Sequence, residues 1–159
     1  MSVTGVQTCA LPICETAEIA LQAAETGHVV VATLHTSSAA QTVQRFLKLV
    51  PSDRLETAQA SLADTLRAIL CQRLLFDNIR QRRFAIHELL LQYDSTTNLI
   101  RRGEYKKLDQ ELETGWKKGM ISWERSIDMR STEGWNVPVQ EKSGFSQDEV
   151  EAYMSEHGR

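Results

Sequence analysis

From Glu15 to Thr26 the apolar positions Ala17, Ile19, Ala20, Leu21, Ala23 and Ala24 suit a buried, closely packed helix, and Gly27 follows where a left-handed cap is easiest. The period then changes. His28 to Leu34 reads His-Val-Val-Val-Ala-Thr-Leu, a short continuous β-branched run that predicts a strand covered on both faces in a parallel sheet. Ser38-Ala-Ala-Gln41 has the spacing of a capping box, and Val43, Phe46, Leu47 and Val50 follow at helical spacing before Pro51. A second long helix is predicted from Ser52 or Asp53, with Leu55, Ala58, Leu62, Leu66, Ile69 and Leu70 along one face. Helix, strand, helix, helix is the rhythm of an α/β layer fold.

Gln72 to Phe76 and Phe84 to Leu91 read as two strands joined by the polar, basic turn Asp77 to Arg83, a hairpin expected at the sheet edge. Asp94 to Arg102, Tyr105 to Lys118 and Ile121 to Arg130 are three short helices separated at Gly103 and Gly119. The tail carries Gly134, Pro138 and Gly144. It ends in a predicted surface helix with the box Ser146-x-x-Glu149 and a staple between Phe145 and Val150. Trp116, Trp123 and Trp135 read as packing anchors.

Composition narrows the partners more than the fold. With 159 residues, 42% hydrophobic and 25% charged, the chain supports one ordinary domain with its own core, plus a tail. A formal charge of -3 gives no basic footprint for nucleic acid, and Arg80-Gln-Arg-Arg83 and Arg101-Arg102 read as solvated loop and helix-end charges. Cys9, Cys14 and Cys71 lack the spacing of a metal knuckle, so no metal site is expected from them. Their odd count argues against a disulfide framework and fits a reducing cytoplasm. No apolar run approaches the roughly 20 residues that span a bilayer, so membrane association is expected only through partners.

The stretch Val3-Thr-Gly-Val-Gln-Thr-Cys-Ala-Leu-Pro-Ile13 has neither helical nor strand periodicity and lacks the charged start and apolar stretch of a signal peptide. It resembles, codon by codon, the translation of a common sequencing adapter. On that reading residues 1–14 are not native, Cys14 is a junction codon, and the protein proper begins at Glu15 as part of a longer chain.

The stretch with chemistry in it is Thr33-Leu-His-Thr-Ser-Ser38, which places polar groups at the carboxyl end of the predicted strand, just ahead of a helix. Ligands of open α/β sheets bind beyond the strand ends, and a helix start offers unpaired N–H groups and a positive dipole to a phosphate. An imidazole there could hydrogen-bond a terminal phosphate and register its loss. Spacing alone leaves an equal alternative, in which His35 is a loop histidine satisfying local backbone groups.

Glu15-Thr16, Ala24-Glu-Thr-Gly-His28 and Ala32-Thr-Leu-His-Thr-Ser-Ser-Ala39 resemble the segment that follows the acidic Walker B strand in secretion and type IV pilus ATPases, and the similarity runs from Glu15 to about Gly119. Thr33 to Ala39 resembles that superfamily's His box. The resemblance implies that His35, with Thr33 beside it, senses the γ-phosphate, and that His28 and Thr36 contact the nucleotide. Cys71-Gln-Arg-Leu74 resembles a motif that ends the long helix of the motor core, which implies that Gln72 and Arg73 line the nucleotide or subunit interface; plain strand entry is the alternative. Phe84-Ala-Ile-His-Glu-Leu89 resembles the family's Ala-His-Glu strand. There His87 reads as a structural histidine with Glu88 as the partner to test. Ser95-Thr-Thr-Asn-Leu-Ile-Arg-Arg102 sits where retraction motors carry an Ala-Ile-Arg-Asn-Leu-Ile-Arg-Glu helix. Asn98, Leu99, Ile100 and Arg101 are kept, whereas the first three residues and the final glutamate differ, as in a divergent or accessory motor.

The resemblance implies an α/β fold: a partial RecA-like P-loop NTPase core with a truncated sheet, followed by a small helical subdomain. The divisions expected are 15–92 for the core, 93–133 for the helices and 134–159 for a tail. It also implies a homo-hexamer using ATP and Mg2+, working in the cytoplasm at the inner membrane with a pilus platform protein there and a paralogous retraction ATPase. No G-x-x-x-x-G-K-[ST] occurs in the sequence, so the loop that cradles phosphates is expected elsewhere in the parent, and the chain alone is expected to be inactive. A pilus-assembly or type II secretion ATPase is the rival within the superfamily. Such enzymes usually carry a four-cysteine module after the motor core, and no Cys-x-x-Cys is present here. A non-enzymatic interaction module built on Asp94 to Arg130 is the rival outside it.

Overall fold

The structure, a computed structural model, describes residues 6 and 7 and 14–138. The expected helix at Ser146 lies outside the described residues, as does most of the segment compared with an adapter. Val6–Gln7 form β1, which pairs in parallel with β2 (Val30–Val31).

Helix α1 (Cys14–Glu25) ends as its sequence asks. Gly27 takes φ 89°, its N–H donates to the Ala24 carbonyl, and the His28 N–H donates to the Ala23 carbonyl. These are the two bonds of a Schellman cap, which requires a residue tolerant of positive φ. Helix α2 (Ala39–Leu47) starts at Ser38, whose Oγ accepts from the Gln41 N–H at 3.3 Å. Gln41 does not complete the box: its Oε1 accepts from the Ser37 hydroxyl at 2.8 Å instead.

After a 3-10 turn (Ser52–Arg54), α3 (Leu55–Thr65) is shorter than expected. Leu66 leaves the helical region with ψ 133°, and Ile69 and Leu70 belong to β3 (Ala68–Asp77). Apolar residues at helical spacing were compatible with a strand too, and cross-strand pairing with β4 (Arg82–Leu91) decides it. The hairpin is thus longer than expected and forms its own antiparallel sheet, with Cys71 opposite Glu88 and Ile69 opposite Leu90. Its turn is held by Asp77, whose Oδ1 accepts from the N–H groups of Ile79 (2.8 Å) and Arg80 (2.9 Å), while Gln81 takes φ 51°. Asp77 is buried, and its second oxygen accepts from the Asn136 N–H at 3.1 Å, tying the turn to the chain beyond the last helix.

Three helices follow: α4 (Asp94–Arg101), α5 (Lys107–Thr114) with a 3-10 extension (Gly115–Lys118), and α6 (Trp123–Thr132). One cluster joins α1, α2 and α3 through Leu21, Val43 and Leu62 to the inner face of the hairpin at Ile69 and Leu90, and on to Ile100, Leu108, Leu112 and Met120. A second packs Leu75, Phe84 and Ile86 against Ile127 and Val137. The edge of β4 is closed by the segment around α6. Leu89 and Ile121 exchange backbone bonds at 2.8 and 3.0 Å, the His87 N–H donates to Ser126 Oγ, and Arg130 Nε donates to the Ala85 carbonyl. The tryptophans divide. Trp135 stacks on Phe84 with ring centroids 4.9 Å apart and Trp123 packs against both clusters, but Trp116 is exposed.

Candidate functional site

The polar stretch between β2 and α2 is the candidate site. The run before it departs from expectation: only Val30 and Val31 pair, and Val29 and Val31 are 69% and 66% exposed, so residues 28–34 do not form a strand covered on both faces. A continuous β-branched run becomes a buried strand only with neighbours on both sides. Among the described residues β1 alone pairs with it.

Beyond β2, Thr33 and His35 are exposed and Thr36 is half-buried. Thr42 Oγ1 donates to the Ser38 carbonyl at 2.8 Å, which leaves its lone pairs to accept from the Thr36 hydroxyl at 2.7 Å. The loop is therefore stitched to the first turn of α2 while its imidazole faces outward.

The helix start is not the open anion site the sequence implies. Glu88 reaches from the inner face of β4 and accepts the Ala39 N–H at 2.6 Å, and Ser38 takes the Gln41 N–H, so two first-turn amides already have acceptors within the chain. Burial pushes the Glu88 carboxyl up, and Asp109 and Glu124 add to the rise against the pull of the Ala39 N–H and Arg73. Ser37 and Ser38 also line a cleft of about 260 Å3 shared with Arg73, Glu88, Asp109 and Glu124. With Glu113, four carboxyl groups line it, and they disfavour a phosphate. Thr33 and His35, both exposed, are not part of that cleft's lining.

Arg73 joins this site and Gln72 does not. Arg73 Nη2 donates to the Ser37 carbonyl at 3.4 Å, and its guanidinium lies 4.3 Å from the centre of the Trp123 ring. Gln72, exposed, falls on the opposite face of β3, because adjacent strand residues alternate. The Cys71-to-Leu74 motif lies within β3 and does not end a helix. The same alternation separates His87 from Glu88: the carboxylate engages Ala39, a partner 49 residues away in sequence. The signal for it was present, since Glu88 shares the apolar register of Phe84, Ile86 and Leu90.

His28 stands at the other end of β2, where its Nδ1 meets Thr26 Oγ1 at 3.0 Å, and among the described residues no contact joins it to His35. The residues Asn98 to Arg101 also divide. Ile100 is 1% exposed and Leu99 packs on the core, while Asn98 is exposed and Arg101 pairs with Asp64 of α3. Gln59 of α3 donates to the carbonyls of Ile100 and Arg101, so α4 is docked on α3 at its carboxyl end.

Among the described residues no three His, Cys, Asp or Glu side chains gather as a metal site. No helix of the described residues is long and apolar enough to cross a membrane.

Residues 14–82, which hold β2, the His35 loop, β3 and the hairpin turn, match the family model of type II/IV secretion system proteins. Over those residues the chain is similar to that family. It is 42% identical over 120 residues to the uncharacterised protein YggR of Escherichia coli K12, covering 76% of this chain and 36% of that one. It is 36% identical over 124 residues to a twitching motility protein of Neisseria gonorrhoeae, covering 78% of this chain and 33% of that one. A pilus assembly ATPase of Pseudomonas aeruginosa matches a shorter stretch, at 43% identity over 76 residues, 46% of this chain and 13% of that one. The longer matches therefore carry the likeness into the helices after the hairpin, and place the chain with retraction-type secretion ATPases. The crystal structure of the pilus retraction motor PilT with bound ADP superposes with a TM-score of 0.56 at 33% identity, covering 77% of this chain and 37% of that one. The fold is accordingly an α/β portion of a RecA-like ATPase core, with a partial sheet, followed by a small set of helices. The chain spans about a third of the length of the curated relatives it matches.

Proposed function

We propose that this chain is part of an ATP-hydrolysing motor that drives type IV pilus retraction and twitching motility, with His35 reading the terminal phosphate of the nucleotide. The observation that supports this most is an outward-facing imidazole in a strand-to-helix loop, within a segment whose fold matches a retraction motor that binds ADP. A histidine there can hydrogen-bond a terminal phosphate oxygen and lose that partner on hydrolysis. Thr33 is exposed as well, and Thr36 ties the loop to Thr42 of α2.

The phosphate cradle, the magnesium ligands and the arginine fingers belong on this reading to the rest of the parent. The parent works as a homo-hexamer at the cytoplasmic face of the inner membrane, against a pilus platform protein and alongside a paralogous retraction ATPase. Positioning and charge neutralisation dominate phosphoryl transfer, so the chain alone is inactive. In the intact ATPase, His35→Ala lowers magnesium-dependent phosphate release by about tenfold or more while the assembly survives, since one preorganised polar contact to the reacting group is lost. Unchanged turnover returns His35 to a local loop role. Magnesium-dependent phosphate release by the purified chain overturns the assignment of the cradle to the rest of the parent.

A further inference from the structure

We propose that Glu88 is a positioning residue for the His35 loop: from the inner face of β4 its carboxylate holds the first amide of α2 and thereby fixes where the loop ends. Glu88 is 4% exposed and Ala39 is fully buried, so the Ala39 N–H would lose its acceptor if the 2.6 Å bond between them were removed. On the other side of Ser38, Arg73 donates to the Ser37 carbonyl. Arg73 lies on the same face of the hairpin, diagonal to Glu88 across the Cys71–Glu88 pair. An anion takes the N–H after Ser38, and a cation takes the C=O before it. Ser38 is three residues from His35, and two strands therefore set the end of that loop.

The Glu88 carboxyl meets a backbone donor at the positive end of the helix dipole, and a neutral side-chain amide oxygen can accept the same N–H. The same strand is held along its edge by Ser126, Arg130 and Ile121, so the loop and α6 grip one strand. Glu88 touches no nucleotide on this account. It acts through the loop.

The functional half of the test rests on His35 as phosphate sensor, and the structural half does not. In the purified chain, amide hydrogen exchange at Ala39 to Gln41 should quicken about tenfold or more in Glu88→Ala, because the local opening of the first turn loses its tether. In Glu88→Gln it should return to within about threefold of wild type, since the side-chain amide oxygen still accepts. In the intact ATPase, Glu88→Ala should lower kcat about tenfold with KM for magnesium-ATP moved less than about twofold, the signature of misplacement rather than lost binding. Glu88→Gln should recover most of it.

Ala39→Pro removes the donor instead, at a first helical position that accepts proline and after a residue at ψ 162° that a following proline also accepts. It should lower kcat like Glu88→Ala and add little in the double variant. If Glu88→Ala does not fold, Ala39→Pro and Glu88→Gln decide: wild-type kcat and exchange in Ala39→Pro overturn the proposal. So does unchanged exchange at residues 39–41 in a folded Glu88→Ala. Loosened exchange with His35→Ala still fully active would keep the tether and remove the sensor. Slow His35→Ala with an unaffected Glu88→Ala would do the reverse.

Discussion

The β3–β4 hairpin and the segment from His28 to Ser37 are both rich in apolar or β-branched residues, yet they end in opposite conditions. The hairpin buries one face under helices, closes the β4 edge with Ile121, Ser126 and Arg130, and folds Asp77 back over its turn. The His35 segment leaves Val29 and Val31 in solvent and is fixed chiefly at its far end, where Ser38, Glu88 and Arg73 meet. Hydrophobicity alone separates neither. What differs is whether the chain supplies the neighbours that each stretch needs, and the part proposed to meet a ligand is the part left open.

The largest contrast is expected in the core of the hairpin. Leu90→Ala should cost about 2–5 kcal/mol in urea unfolding, as for other buried large-to-small changes, whereas Val31→Ala should stay within about 0.5 kcal/mol. A cost at Val31 comparable to that at Leu90 would break the comparison, because it would mean that residues 28–34 are packed.

Asp77→Asn sharpens it from the other side. Burial raises the Asp77 carboxyl, but the N–H groups of Arg80, Asn136 and Ile79 outweigh burial and hold it below its ordinary range. A carboxyl lowered on folding adds stability above its unfolded pKa and loses it as pH falls through the folded value. The asparagine variant should therefore be clearly less stable at neutral pH, with the deficit closing as pH falls below about 3.9. A deficit independent of pH would show that the charge is not what secures the turn.

Ser38→Ala should cost about 1 kcal/mol through the lost cap, read by the same unfolding curve. A much smaller loss would mean that Glu88 alone fixes the start of α2.

The smallest effect is a slope. Burial sets the Glu88 carboxyl above its ordinary range, with Asp109 of α5 and Glu124 of α6 raising it further and Arg73 of β3 and the Ala39 N–H opposing. A carboxyl raised on folding contributes stability that is complete below its unfolded pKa and fades as pH rises through the folded value. Glu88→Gln should thus gain on wild type as pH climbs from about 4.3, measured as the difference in urea midpoint. A difference that shrinks over that range would reverse the sign assigned to burial.

Much of the architecture was legible from local signals. The Gly27 cap, the Ser38 start, the hairpin and the breaks at Gly103 and Gly119 each follow from a residue whose backbone preference or side-chain reach acts within a few positions. The boundary of α3 was not. Leu66, Ile69 and Leu70 fit a helical stripe as well as a strand, and pairing with Leu89 to Leu91 supplied the missing term. In the candidate site, the loop and His35 could be read from the motif. The inward register of Glu88 was legible too, but the partners of Arg73 and Glu88 were not, because each belongs to another element.

The sequence by itself determined where the chain turns, caps and changes period, along with its resemblance to a secretion ATPase. Those are short-range choices, made by side chains acting on their own backbone. Tertiary structure alone decided that β2 lies open, that Glu88 and not solvent or ligand takes the Ala39 amide, and that Gln72 and Arg73 part company. Burial and long-range pairing arise from neighbours distant in the chain, so no local pattern encodes them.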